Sequence, residues 1–187
     1  MQYNDGMPKN KLNTFRDLFI LKLSALYEVE NTLVKALPKM AENSGSQDLE
    51  AAFTEHLVKT KGHVERLKKA FEMLGEKPRK IGVDAIEGLV SDAEWCIDNI
   101  DDPRLLDAAL VGAAQYVEHY EMAGYTTASE WADTLEEDEV QDLLQETLDE
   151  EKEASESLEE LAISGINGAA NNAEDESEED MDDGEND

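Results

Sequence analysis

The stretch QYVEHYEMAGY, residues 115–125, decides how the chain is read. Val117, Glu121 and Gly124 recur at helical spacing and continue an apolar series that begins at Leu106 and Leu110. The series places a carboxylate, Glu121, on the inner stripe of a helix. Glu118 lies one step round from it, and His119 falls off the stripe toward solvent. A carboxylate buried alone is costly, so an inner glutamate is expected to be paired, protonated or bound to a cation.

The elements on either side set this helix in an all-α fold. Asp-Asp-Pro at 101–103 is a strong start, with Asp102 as cap and Pro103 in the first turn, and the helix is predicted to run to about Ala132. A first helix from Asn13-Thr14 toward residue 42 carries Phe15, Phe19, Leu26, Leu33 and Leu37, with Pro38 expected to kink or end it. After the loop ENSGSQD, Ser46 caps a second helix over about 48–74, which Gly75 stops. A crossover with Pro78 and Gly82 contains a short helix at about 84–98. The last helix spans about 137–164, with Val140, Leu144, Leu148 and Leu158 inward and Gly165 as its stop. The pattern predicts a ferritin-like four-helix bundle with a long crossover containing a short fifth helix. It divides the chain into a flexible N-terminus (1–12), the bundle (13–165) and an acidic, disordered tail (166–187).

The formal net charge is −30, but the first 80 residues carry 14 Lys+Arg against 11 Asp+Glu, so the acidity is concentrated in the second half. Such a field excludes nucleic acid as a partner, because phosphate neutralisation requires clustered cations. It disfavours anionic lipid surfaces for the same reason. No apolar run approaches the roughly 20 residues of a membrane span. One cysteine, Cys96, and an N-terminus without an apolar signal core predict a soluble cytoplasmic protein.

Each long helix inserts ionisable groups near its middle: Glu30 on the first, His56 and His63 on the second, Glu118 and Glu121 on the third, Glu151 on the fourth. Sliding the first half by 91 residues superposes Leu26 on Val117, Glu30 on Glu121, Phe53 on Leu144 and Leu67 on Leu158. The same shift places Thr60-x-x-His63 on Glu151-x-x-Ala154. Di-iron bundles carry a Glu-x-x-His pair at both places, whereas here each copy keeps half of it. Glu30, His63, Glu121 and Glu151 are the primary ligand candidates, with Glu118 and His56 making up the set. Hard carboxylates with one or two imidazoles suit iron or manganese. The opposing readings are that Glu30 pairs with Lys22 or Lys35, that Glu121 and Glu151 are solvated, and that both histidines are ordinary core residues. Tyr116, Tyr120 and Tyr125 are expected to serve packing.

Four segments carry a family resemblance: FRDLFILKLSALYEVENTLVKALPKMA, HLVKTKGHVERLKKAFEMLG, AALVGAAQYVEHYEMAGY and LLQETLDEEKEASESLEELA. In order and spacing they resemble the YciF-like family of ferritin-like proteins, over about residues 15–162. The resemblance implies a ferritin- or rubrerythrin-like bundle, a homodimer, a link to stress responses and a dimetal centre; the leading function is then iron or manganese binding at the bundle centre, with oxygen or peroxide redox chemistry. By position it carries Glu30, His63, Glu121 and Glu151 over as ligands. The chain departs from the family pattern at Lys59, where an acidic residue is expected; the lysine is expected to reach the same region and replace an ion's charge. The alternative function is a structural stress protein with a degenerate, metal-free site, in which Lys59 or Lys22 contacts an inner glutamate.

Overall fold

A computed structural model describes residues 12–173. The acidic segment from 174 onward and all but Leu12 of the expected flexible N-terminus lie outside the described residues.

Helix α1 (Phe15–Asn43) starts on a capping box in which the Thr14 hydroxyl accepts from the Asp17 amide and the Asp17 carboxylate accepts from the Thr14 amide. It does not end at Pro38. A proline removes one backbone hydrogen bond from a helix, and the buried Leu37 and Met40 on either side of it hold the last turns in the core. Helix α2 (Gln47–Met73) is capped by Ser46. It terminates at Gly75, whose φ of +69° allows Glu76 N–H to reach back to the Phe71 carbonyl. Helix α3 (Asp84–Asn99) lies in the crossover against α1 and α4. Helix α4 (Pro103–Thr134) begins on Asp102, whose carboxylate accepts from the Arg104 and Leu105 amides. Helix α5 is Asp138–Leu161.

The predicted stop at Gly165 is not observed. The chain passes through a π-helical turn (Ala162–Ile166) into α6 (Asn167–Asn171). Ile166 is buried in the core there, and burying one such side chain is worth about 1.5–3 kcal/mol, enough to offset about 1 kcal/mol for each of the two helical glycines, Gly165 and Gly168.

Helices α1 and α2 pair, as do α4 and α5, and the two pairs close into a bundle through α2 against α5 and α1 against α4. The loop joining α1 to α2 is clamped by Asp107, which accepts from the amides of Gly45 and Ser46 at 2.8 Å each. A Cβ on Gly45 would sit 2.9 Å from Pro103 Cβ, so only glycine permits that approach. Gly124 plays a similar part in the middle of α4, where a Cβ would lie 2.8 Å from Leu26 Cδ2.

The apolar core is split in two. One half contains Val29, Leu33, Leu37, Phe53, Leu110, Val117 and Leu158. The other contains Phe19, Leu23, Leu26, Leu67, Phe71, Ala128, Leu144 and Leu148. Along every long helix the break falls at the inner polar residues, so they form one layer between the two halves.

Candidate metal centre

The layer draws on all four long helices. Glu30 comes from α1, His56 and His63 from α2, Glu118 and Glu121 from α4, and Glu151 from α5. The histidines are seven positions apart and Glu118 and Glu121 three, spacings that keep each pair on one helical face. Glu30, His63, Glu121 and Glu151 expose none of their surface, Glu118 exposes 3% and His56 8%. The solvated reading of Glu121 and Glu151 is thereby removed.

These six residues form two adjoining groups. In one, Glu30, His63 and Glu151 offer ligand atoms that all lie within 4.8 Å of one another; in the other, His56, Glu118, Glu121 and Glu151 do the same. Glu151 belongs to both, as a carboxylate bridging two positions would. His63 Nδ1 stands 3.0 Å from Glu151 Oε1 and 3.4 Å from Glu30 Oε2, and His56 Nε2 stands 3.4 Å from Glu118 Oε1. These are ion-pair distances without hydrogen-bond geometry. Glu30 Oε2, Glu118 Oε2, both oxygens of Glu121 and of Glu151, and Nδ1 of both histidines have no hydrogen-bond partner.

Several surrounding residues were not singled out as parts of a site from the sequence. His63 Nε2 lies 2.8 Å from Glu150 Oε2, and Arg66 grips Glu150 through both terminal nitrogens, at 2.6 and 2.7 Å. This ties the outer ring nitrogen and leaves Nδ1 facing the layer. Tyr125 is fully buried, and its hydroxyl donates to Glu30 Oε1, a role beyond packing. The signals were spacing alone: Tyr125 follows Glu121 by four, and Arg66 follows His63 by three. Thr60, in the place of a second inner carboxylate, donates its hydroxyl to the His56 carbonyl and offers no acid.

Lys59 is half-buried beside a cavity that His56 and Glu118 line, and it pairs with Glu153 at 3.3 Å rather than with an inner glutamate. Lys22 lies over the Trp131 ring, Lys35 is exposed, and the partners of Glu30 are His63 and Tyr125. His119 is exposed, with Nδ1 on the Gln115 carbonyl.

Burial dominates the electrostatics. It raises the pKa of Glu30, and raises Glu118 and Glu121 well above the ordinary carboxylate value, with the Glu151 charge adding to the push on both. For His63, burial opposes protonation, but Glu151 and Glu30 overcome it and bring the pKa to about 10. Burial lowers His56. Glu150, hydrogen-bonded by Arg66, is held at about 2. Protons and histidine charge therefore compensate the layer where no ion does.

The family described as "Domain of unknown function (DUF892)" matches residues 14–171. Protein YciF of Escherichia coli K12 is 38% identical over 162 residues, which is 86% of this chain and 98% of YciF. The chain belongs to the YciF-like DUF892 family. The crystal structure of the E. coli stress protein YciF superposes with a TM-score of 0.81 at 38% identity, covering 83% of this chain and 99% of that one. A protein of Rhodopseudomonas palustris called YcfI gives 0.79 at 39% identity, covering 82% and 98%. A Xanthomonas campestris protein at 18% identity, with a TM-score of 0.66 over 88% and 99% of the chains, shares the fold. Among the described residues, no helix is long and apolar enough to cross a membrane.

Proposed function

We propose that this YciF-like chain binds iron or manganese in the polar layer, through Glu30, His56, His63, Glu118, Glu121 and Glu151. The observation that carries the reading is the set of buried oxygens of Glu30, Glu118, Glu121 and Glu151 and the His63 Nδ1, converging from four helices, that no hydrogen bond satisfies, with His56 turning Nε2 toward them. Leaving such atoms unpaired costs about 1–3 kcal/mol each, a cost that a bound cation removes. The donor set is hard and carboxylate-rich, as these two metals prefer. Bound there, the metal would supply redox chemistry toward oxygen or peroxide.

The protein's own contribution is positional. Glu150 holds the outer nitrogen of His63, and Tyr125 orients Glu30. The apolar half-core of Phe19, Leu23, Leu67 and Leu144 closes one side of the layer. A link to stress, which rests on the likeness to the E. coli stress protein YciF, belongs to the same proposal, as do a homodimeric state, from the family resemblance, and a cytoplasmic location, from the single cysteine and the N-terminal sequence.

Metal content after purification from iron- and manganese-replete medium tests it. The expected result is stoichiometric metal in the wild type, lost in Glu30→Ala and Glu151→Ala, with a melting temperature that falls on chelation. Sub-stoichiometric metal together with a melting temperature indifferent to chelator refutes it. That outcome favours the second reading, a metal-free structural protein, for which the contacts of His63 with Glu150 and Glu151 and of Tyr125 with Glu30 already provide internal compensation.

A further inference from the structure

The internal repeat places position 154 where a histidine would complete Glu151-x-x-His, and this chain has Ala154 there. The structure shows a cavity at that point. It measures about 100 Å³ and is walled by Ala154, Ala114, Leu33, Phe53 and Leu158; His56 and Glu118 also line it. Both polar residues are more than nine-tenths buried, and His56 Nδ1 and Glu118 Oε2 have no partner. Glu55 and Lys59 stand at the outer rim. An apolar chamber with unsatisfied polar atoms in its wall is the ordinary form of a small-ligand site.

The chemistry of the walls selects the occupant. Leu33, Phe53 and Leu158 call for an apolar body. An anionic head would meet Glu118 with Glu121 and Glu151 close behind it. A cationic head carried on an alkyl body would have to shed its hydration against Leu33, Phe53 and Leu158, which is costly for a full charge. A hydroxyl can donate to the free Glu118 oxygen and accept from an imidazole N–H. An engineered apolar cavity of about 150 Å³ holds benzene, so this smaller one suits about four carbons. We propose that the cavity binds a small uncharged alcohol, its alkyl chain against the apolar wall and its hydroxyl against Glu118 and His56.

The site shares His56 and Glu118 with the proposed metal layer but does not require metal, and the test, run on metal-free protein, separates the two. Chelator-treated full-length protein is titrated with 1-butanol while backbone amide NMR shifts are followed. The expected result is saturable binding with Kd on the order of 1 mM, the range five heavy atoms can reach, with shifts concentrated at residues 53–57, 114–118 and 154–158. Binding of 1-chlorobutane, which cannot donate, is expected to be at least about tenfold weaker, equivalent to about 1.4 kcal/mol. Ala154→Leu and, separately, Ala52→Leu fill the cavity and are expected to weaken 1-butanol about tenfold or more without lowering the melting temperature. Two variants on different helices guard against one that fails to fold. Unsaturable shifts scattered over the bundle, equal binding of 1-chlorobutane, tighter binding of butylammonium, or unchanged binding in a folded filled variant would each overturn the assignment.

Discussion

Replacing Glu121 by methionine should stabilise the metal-free protein and abolish its stabilisation by metal. Glu121 exposes no surface, and neither of its carboxylate oxygens has a hydrogen-bond partner. Each unsatisfied buried polar atom costs about 1–3 kcal/mol. Burial, reinforced by Glu151 and Glu30, raises the Glu121 pKa well above its ordinary value, so taking up a proton recovers part of the loss. A net cost of about 3 kcal/mol remains from that range. Methionine has similar length, no branch and comparable helix propensity, so it removes the cost without straining α4. For a domain of this size, about 3 kcal/mol corresponds to a rise of about 6–12 °C in melting temperature. The sign also depends on pH. A raised folded-state pKa contributes stability at pH values below the unfolded pKa, and this is lost as pH rises toward the folded one, so the advantage of methionine should widen from pH 4.5 upward. The assay is calorimetry on chelator-treated wild type and variant, repeated with saturating Fe(II) or Mn(II). Metal at 100 times Kd should raise the wild type by about 2.7 kcal/mol and the variant by much less. A metal-free variant melting several degrees below wild type would refute the reasoning, since Glu121 would then be satisfied within the protein.

Other perturbations test the supports of the layer and the bundle. Arg66→Ala should cost about 1–2 kcal/mol at pH 7 by removing charge-assisted hydrogen bonds to Glu150. Because Glu150 is held near 2, that contribution is present above pH 4.5 and disappears as pH falls toward 2; urea unfolding should show variant and wild type converging there. Asp107→Ala leaves the Gly45 and Ser46 amides without their acceptor and should lower stability by about 2–3 kcal/mol, measured by the urea midpoint. Gly112→Ala, where a Cβ meets open space, should gain about 0.8–1 kcal/mol from helix propensity. Gly124→Ala should instead lose about 1 kcal/mol, because overpacking against the buried Leu26 outweighs the same gain; a thermal melt that stabilises both would contradict the close packing of α1 on α4.

The bundle was legible because its punctuation is chemical: Thr14, Ser46 and Asp102 cap helices as their side chains predict, and Gly75 ends one through a left-handed φ. Glu30, Glu121 and Glu151 were legible because each interrupts an apolar stripe, which charged residues do not do without cause. Glu150 was not, since it is one acid in the run Asp149-Glu150-Glu151-Lys152-Glu153 and only the turn of α5 toward Arg66 distinguishes it. Lys59 was half legible: it does stand near His56, at the cavity, but its partner is Glu153 on α5, which its sequence position does not reveal. The helix past Gly165 was missed because its support is the distant burial of Ile166.

The complete enclosure of Glu30, His63, Glu121 and Glu151 also governs time. An ion held by Glu30, His63 and Glu151, away from the cavity beside His56 and Glu118, could not be handed directly to a chelator or another protein. It would leave when the helices part, so its residence would follow the frequency of local opening rather than the strength of coordination. Two ions of quite different affinity would then depart at similar rates, and amide hydrogen exchange along α2 and α5 would keep the same clock.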